Sequence, residues 1–368
     1  GVFFDRPRVV RDMADTAVDH EDATDETSTV DPLQVGVVGG GFIGTAVGGA
    51  FVEHDESTVV ALVDIDESVL EEAGDELGVD TASRYTDYAT MLDAENLDAV
   101  LIGTPHTLHY DQILTAFDHD LHVLCDKPLT TDLDDARDLV ERDRERDEVL
   151  MVGYQRHLYE AFVEARELWS EADREPCWIT AEVCQDWVER FEGAWRQNPD
   201  LSGGGYLYDT GSHLLDCVLW STQLTPEAVS ANMDFIDDDQ RVDGRANVTV
   251  RFTNGATASF SLSGETPCMR EHVRMWDEQG AVALDSQDWE PSEYVEIDED
   301  SGEYRPRLSR ENRERKVDAF IEAVQTGEEP VATALDGLRV TAVTEAAYES
   351  ARSDGSFVAI DPDDVRLE

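Results

Sequence analysis

The sequence predicts an α/β chain with two folding units. The first is a parallel sheet covered by helices on both faces; the second is an α+β unit built on a large open, mostly antiparallel sheet. Three observations carry this reading. From residue 34 short apolar runs alternate with helical stretches, and a glycine-rich turn joins the first run to the first helix. Beyond residue 175 the texture changes to longer strands of alternating polar and apolar residues.

The runs "QVGVVG", "STVVALVD", "LDAVLIGTP", "LHVLCDKP" and "EVLMVGYQ" are rich in Val and Leu and apolar throughout. Strands of that kind belong to a sheet buried on both sides. Between the first four lie "IGTAVGGAFVEH", "SVLEEAGDELG" and "HYDQILTAFDHD", which read as crossover helices. In the second unit "CWITAEVCQDW" and "RANVTVRFTNGATASFSLSG" alternate, and the "TNG" within the latter marks a hairpin. The closing stretches "RKVDAFIEAVQTG" and "LDGLRVTAVTEAAYESARSDG" each end on a glycine suited to cap a helix. Residues 1–32 are acidic and barely apolar, so a mobile arm is expected there. The boundaries are then 1–32 for the arm, 33–153 for the parallel-sheet domain and 154–368 for the α+β domain with its closing helices.

Composition excludes several partners. The 83 acidic residues against 28 basic ones leave a formal charge of −55. Nucleic acid and anionic membrane surfaces both require a basic patch that such a chain does not offer. Self-repulsion on this scale opposes a compact state unless salt screens it. The acidity therefore reads as adaptation to a salt-filled cytoplasm. Five cysteines at irregular spacings match no zinc motif, so reduced and mostly buried thiols are expected, with no metal. With neither a secretory leader nor an apolar run of spanning length, the reading is a cytoplasmic protein.

"VGVVGGGFIG" places Gly39, Gly41 and Gly44 in the G-x-G-x-x-G spacing between strand and helix. The first glycine permits the tight turn, the second lets a pyrophosphate approach the backbone, and the third lets helix and strand pack closely. The helix N-terminus then faces the phosphates. Asp64 closes the second strand twenty residues past Gly44, where a carboxylate accepts from the ribose hydroxyls and repels a 2′-phosphate. The first domain therefore reads as a Rossmann dinucleotide-binding domain. Its loop residues Gly39, Gly41, Phe42, Ile43 and Gly44 and its Asp64 point to NAD rather than NADP.

"LIGTPHTLH", "VLCDKP", "MVGYQRH" and "SGGGYLYDTGSHLLD" follow in the order and spacing of the glucose–fructose oxidoreductase and inositol dehydrogenase family (Gfo/Idh/MocA), which the chain resembles from about residue 34 onward. The resemblance implies that Thr104, Pro105 and His109 form the turn beside the cofactor, with His109 a wall of its pocket. "CDKP" is similar to the family's E-K-P with Asp126 in place of glutamate, which implies that Lys127 meets both substrate and nicotinamide and that the Lys127–Pro128 peptide is cis. Asp209 and His213, four residues apart on one helix, are implied to be catalytic together with Lys127. The preceding Gly203-Gly204-Gly205 is expected to let that helix approach the cofactor. Tyr154, Arg156, His157, Trp195 and Arg196 resemble the family's substrate contacts.

Hydride transfer from a secondary alcohol needs a base for the hydroxyl proton, and His213 suits that part. Asp209 orients the imidazole or bonds a neighbouring substrate hydroxyl, and Lys127 supplies positive charge where alkoxide character develops. The reading is an NAD-dependent oxidoreductase acting on a hydroxyl carbon of a sugar, inositol or related polyol. Two alternatives stay open: an NAD-dependent glycosidase on the same fold, and a non-catalytic dinucleotide-binding regulator. Assembly as a homodimer or homotetramer through the C-terminal sheet is expected. Lys127 is one of only two lysines; the other, Lys316, reads as a residue of a surface helix.

Overall fold

The structure, a computed structural model, describes residues 31–171, 174–290, 293–308 and 316–366. The acidic arm at 1–32 falls almost entirely outside them.

Six strands form the first sheet: β1 (Leu33–Val38), β2 (Ser57–Val63), β3 (Arg84–Tyr85), β4 (Ala99–Ile102), β5 (His122–Cys125) and β6 (Leu150–Val152). They are parallel, in the order β3-β2-β1-β4-β5-β6. The intervening helices are α1 (Phe42–Glu53), α2 (Glu67–Glu76), α3 (Tyr88–Ala94), α4 (His109–Phe117) and α5 (Leu133–Asp143). The acid-rich sequence supplies their starts: Asp66, Asp87 and Asp132 cap α2, α3 and α5 by accepting first-turn N–H groups. The strand order reverses between β1 and β4, and the crevice at their carboxyl ends is where such sheets bind ligands.

Helix α6 (Glu160–Glu171) leads to the second sheet. Its strands are β7 (Trp178–Asp186), β8 (Pro226–Phe235), β9 (Asp243–Phe252), β10 (Thr257–Ser263), β11 (Glu265–Trp276), β12 (Gly280–Gln287), β13 (Glu293–Asp298), β14 (Glu303–Tyr304) and β15 (Val358–Ala359). The order is β14-β13-β12-β11-β7-β10-β9-β8-β15. All pairings are antiparallel except β7 with β10. The expected hairpin at "TNG" joins β9 to β10, with Gly255 at φ +88°.

The remaining helices are α7 (Pro199–Ser202), α8 (Ser212–Thr222), α9 (Lys316–Thr326), α10 (Ala334–Arg352) and α11 (Pro362–Arg366). One face of the second sheet is buried beneath α6, α8 and α10. Along β7, Ile179, Ala181 and Val183 point inward while Trp178, Thr180 and Glu182 are exposed. Helix α9 lies beyond residue 153 in sequence yet packs Val317, Phe320 and Ile321 into the core of the first sheet with Val35, Val37 and Phe51. Its apolar face needs cover, and α1 provides it: the Phe51 and Phe320 rings meet edge to face at 6.0 Å.

The cysteines are all unpaired, but the burial expected of them holds only for Cys125 and Cys217. Cys177 and Cys268 are exposed, because they lie at the outer face and rim of the second sheet. Among the described residues no helix is long and apolar enough to cross a membrane, and no cluster of His, Cys, Asp and Glu is arranged to hold a metal.

Candidate active site

The glycine loop is shaped by backbone contact. Gly39 takes φ +95° against the main chain of Gly103, and a Cβ on Gly44 would strike the Gly39 carbonyl oxygen. A Cβ on Gly41 would meet nothing within 4 Å, so this side of the loop is open. Gly41 is the N-cap of α1 and no side chain caps the helix. Its first N–H groups are therefore available to an anion. Asp64 Oδ2 accepts from Gly40 N at 2.8 Å and Oδ1 from Asp66 N at 2.9 Å, which holds the carboxylate beside the loop. Phe42, which begins α1, and Ile65, which follows Asp64, are 78% and 90% exposed apolar side chains. These features fit a dinucleotide: open donors for pyrophosphate, a carboxylate for ribose, and apolar surface for a base.

Thr104 and Pro105 follow β4, and His109 begins α4. His109 is wholly buried, with Nδ1 2.8 Å from the Pro128 carbonyl and Nε2 3.0 Å from that of Thr104. It ties the two turns together from behind and lines no open wall. Burial pushes its pKa down, so the imidazole is neutral and donates to one of the two carbonyls.

Lys127 leaves the end of β5, and its peptide to Pro128 is cis. Nζ donates to the Asp209 carbonyl at 2.6 Å and to its Oδ1 at 3.0 Å. Asp209 sits in a π-helical turn, Leu207–Gly211, immediately before α8. Its Oδ2 accepts from Trp187 Nε1 at 2.7 Å, with Arg196 Nε at 3.2 Å, and its Oδ1 lies 3.9 Å from His106 Nε2. Burial alone would raise this carboxyl's pKa. Lys127 and Arg196, helped by His106 and the Trp187 N–H, outweigh it and hold Asp209 ionised well below the usual range.

That environment leaves nothing of Asp209 for His213. The histidine's Nδ1 is buried with no hydrogen-bond partner among the described residues, so Asp209 does not orient the imidazole, contrary to one of the two roles expected of it. Tyr154 and Trp289 flank His213 at centroid separations of 6.3 and 6.1 Å. Burial, then the charges of Lys127, Arg156 and Lys316, push its pKa well below the ordinary histidine value. His213 is a neutral acceptor with an unanswered nitrogen.

The glycine run serves packing rather than cofactor approach. Cβ atoms on Gly203, Gly204 and Gly205 would strike Thr131, Tyr208 with Tyr348, and Asp243 respectively. His157 is also removed from any substrate: Nε2 meets Asp216 Oδ1 at 2.9 Å, Nδ1 meets the Val331 carbonyl at 2.7 Å, and the ring stacks on Trp220 at 4.3 Å. Arg156 forms a buried two-pronged pair with Glu271, leaving its Nη1 unpartnered and its guanidinium 5.6 Å from the Trp289 ring. Tyr154 is buried with its hydroxyl unpartnered. Trp195 packs edge to face on His106 at 4.9 Å, and Arg196 stays partly open beside Asp209.

Sequence reasoning misses four residues here. His106 lies inside "TPHTLH", three positions before the histidine that the motif singles out. Trp187 follows β7 directly, and strand alternation gives it no part beyond packing. Glu271 shares the inward parity of Met269 and Val273 on β11, and an acid on an apolar face is a readable signal. Lys316 is no free surface lysine: its side chain is 16% exposed, with Nζ 3.4 Å from the Gly153 carbonyl and 3.7 Å from Asp126 Oδ1.

Comparison with known proteins gives the same picture. The family described as "Oxidoreductase family, NAD-binding Rossmann fold" matches residues 33–154, and the "GFO/IDH/MocA C-terminal domain" matches residues 174–282. The chain is 28% identical over 333 residues to D-xylose 1-dehydrogenase (NADP(+)) 2 of Haloferax volcanii, covering 89% of this chain and all of that one. It is 24% identical over 336 residues to myo-inositol 2-dehydrogenase of Thermotoga maritima, covering 86% and 96%. Aldose-aldose oxidoreductase from Caulobacter crescentus, solved with glycerol, superposes with a TM-score of 0.77 at 26% identity, covering 89% of this chain and all of that one.

Proposed function

The chain belongs to the Gfo/Idh/MocA oxidoreductase family, and from that premise we propose that it is a dehydrogenase of a sugar, inositol or related polyol, with NAD preferred over NADP. The observation that carries this is the buried Lys127–Asp209 pair at 3.0 Å, with His213 four residues beyond Asp209 and its buried Nδ1 without a hydrogen-bond partner among the described residues. Gly39, Gly41, Phe42, Ile43, Gly44 and Asp64 would hold the dinucleotide, with Thr104, Pro105 and Lys127 at its nicotinamide end. When bound, it accepts the hydride lost by the hydroxyl carbon.

The chain's own residues do the rest. His213 takes the hydroxyl proton at a ring nitrogen, and its low proton affinity keeps that nitrogen free beforehand. Lys127 offers a fixed cation to the oxygen as negative charge develops there. Asp209 acts on Lys127, holding the ammonium through both its carbonyl and its carboxylate. Trp195, Arg196, Tyr154 and the Arg156 Nη1 supply the donors and apolar edges a polyhydroxylated substrate needs. His157 supports this wall from within.

The charge of −55 and the likeness to an enzyme of Haloferax volcanii support a salt-rich cytoplasm as the working medium. The open face of the second sheet supports a homodimer or homotetramer. A shallow groove there is lined by the short Thr180, Asn247 and Ser259 together with the charged or titratable Glu182, His272 and Arg274. A panel of aldoses and polyols with NAD⁺ and NADP⁺ in molar KCl tests the activity. Reduced cofactor should appear with at least one neutral sugar or polyol. Cleavage of a glycoside without net reduction would reassign the chain as a glycosidase. Cofactor binding with no turnover on any substrate would make it a regulator.

A further inference from the structure

The chain discards lysine almost everywhere, and the structure brings its only two lysines to one place. Lys127 leaves the end of β5; Lys316 enters from the first turn of α9. Between them stands Asp126, 9% exposed, the residue preceding Lys127. The Lys316 ammonium lies 3.7 Å from Asp126 Oδ1 and donates to the Gly153 carbonyl at the end of β6 at 3.4 Å. Helix α9 cannot drift from this position, because Val317, Phe320 and Ile321 are locked into the core of the first sheet.

We propose that Lys316 is a positioning residue of the active site: it anchors the Asp126–Lys127 turn and, through that turn, adds a second cation to the field that His213 feels. The inference rests on the dehydrogenase reading for its meaning, but its physical content does not depend on it. A buried carboxylate without a partner is costly, and Lys316 supplies the partner. Arginine would serve a surface helix equally well, as it does in the rest of this chain. Either cation can answer the half-hidden carboxylate, and a compact ammonium also reaches the carbonyl beside it.

Lys127, Arg156 and Lys316 oppose the protonation of His213. The buried or half-buried acids Asp209 and Asp216 on its own helical segment, Glu271 on β11 and Asp336 on α10 each have a partner of their own. Asp209 is held by Lys127 and Arg196, Asp216 by His157, Glu271 by Arg156, and Asp336 by the Thr333 cap. Removing Lys316 takes away one opposing cation and leaves Asp126 uncompensated. Both changes favour the imidazolium, so the proton affinity of His213 must rise.

The test compares Lys316→Met, Lys316→Gln and Lys316→Arg with the parent in molar KCl. Two measurements are made: the His213 titration by NMR on the chain alone, and kcat/KM against pH. In the Met and Gln variants both the titration and the acid limb should move up by about one pH unit. Lys316→Arg keeps the charge and should stay close to the parent in both. Gln retains a donor for the Gly153 carbonyl and carries the test if the Met variant does not fold. A lower rate with an unmoved titration and acid limb would show a merely structural lysine and overturn the proposal. Because the NMR titration needs no turnover, it decides whether Lys316 tunes His213 even in a chain that is not a dehydrogenase.

Discussion

Lys127 Nζ donates to the main-chain carbonyl of Asp209 at 2.6 Å, closer than its 3.0 Å contact with the same residue's carboxylate. The π-helical turn explains this arrangement. Asp209 N–H still donates to the Gly205 carbonyl at 3.1 Å, while in the wider turn its own carbonyl accepts from Lys127 Nζ and from Ser212 Oγ at 3.3 Å. The lysine is thus held at two points by one residue, and only a small, rotatable ammonium satisfies both.

Lys127→Arg is therefore expected to be severe. A guanidinium is a planar fork that cannot reach both oxygens while occupying the volume of an ammonium. A displacement of about 1 Å at the reacting hydroxyl costs on the order of 100-fold. Steady-state kinetics should show kcat lower by roughly 10²–10⁴. NADH affinity by fluorescence titration should stay within a few-fold, because the glycine loop and Asp64 are untouched. A fully active variant would remove Lys127 from the chemistry.

Cofactor choice should follow Asp64. Each of its oxygens takes one backbone N–H, from Gly40 and Asp66, so the carboxylate is fixed toward the loop with acceptor capacity to spare. The parent should bind NADH more tightly than NADPH, and Asp64→Ser should shift the ratio toward NADPH. Equal binding of the two by the parent, measured by the same titration, would show that Asp64 does not select.

How much of the site is legible in sequence depends on distance along the chain. The glycine loop and the Lys127 turn are local, and their residue types announce the backbone or the charge they need. The partners that tune them are remote: Lys316 reaches Gly153 across 163 residues, and Arg156 reaches Glu271 across 115. Nothing in the spacing records such contacts, although the parity of Glu271 on an apolar strand face hints at one. The four-residue interval from Asp209 to His213 misleads because it assumes a regular helix. The π-turn and the competing Lys127, Trp187 and Arg196 draw Asp209 elsewhere.

The glycines at 203–205 are legible as close approach, but the approaching group is protein. Gly205 lies against the backbone of Asp243, and its N–H donates to the Tyr348 hydroxyl at 2.7 Å. Backbone cannot yield as a flexible side-chain end can. Gly205→Ala should therefore cost at least the ~1–3 kcal/mol of an overpacked core. Thermal unfolding in molar KCl should show a clear drop in midpoint. An unchanged midpoint would mean that β9 moves away at no cost.

Asp243, with Asp143 and Glu345, should contribute stability as the medium is acidified from pH 8 toward pH 5. Asp243 is fully buried and accepts from Tyr348 Oη and, at 3.0 Å, from Leu207 N, yet burial outweighs these bonds and raises its pKa to about 6. Burial and then Glu329 raise Asp143 to about 7; burial and then Asp132 raise Glu345 to about 7. For an acid whose folded pKa lies above its unfolded one, the native state binds the proton more tightly. The stabilisation is then complete below the ordinary carboxylate range near 4 and is lost as pH rises through 6 to 7. For Asp243 alone, acidification from pH 8 to 5 recovers about 1.4 kcal/mol. Asp209 takes no part, because its depressed pKa keeps it ionised throughout the window. His106, His109 and His213, buried and neutral in the folded chain, oppose the gain as their unfolded imidazoles take up protons below about 6.5. Reduced self-repulsion of the acidic surface acts in the same direction as the buried acids, so the two causes must be separated. Constant molar KCl suppresses the surface contribution, and Asp243→Asn removes the buried titration while keeping an acceptor for Leu207 N. The parent's unfolding midpoint should gain on the variant's as pH falls from 8 to 5, since the histidines act equally in both. Equal slopes in the two proteins would assign the whole effect to other groups and leave Asp243 without a part in it.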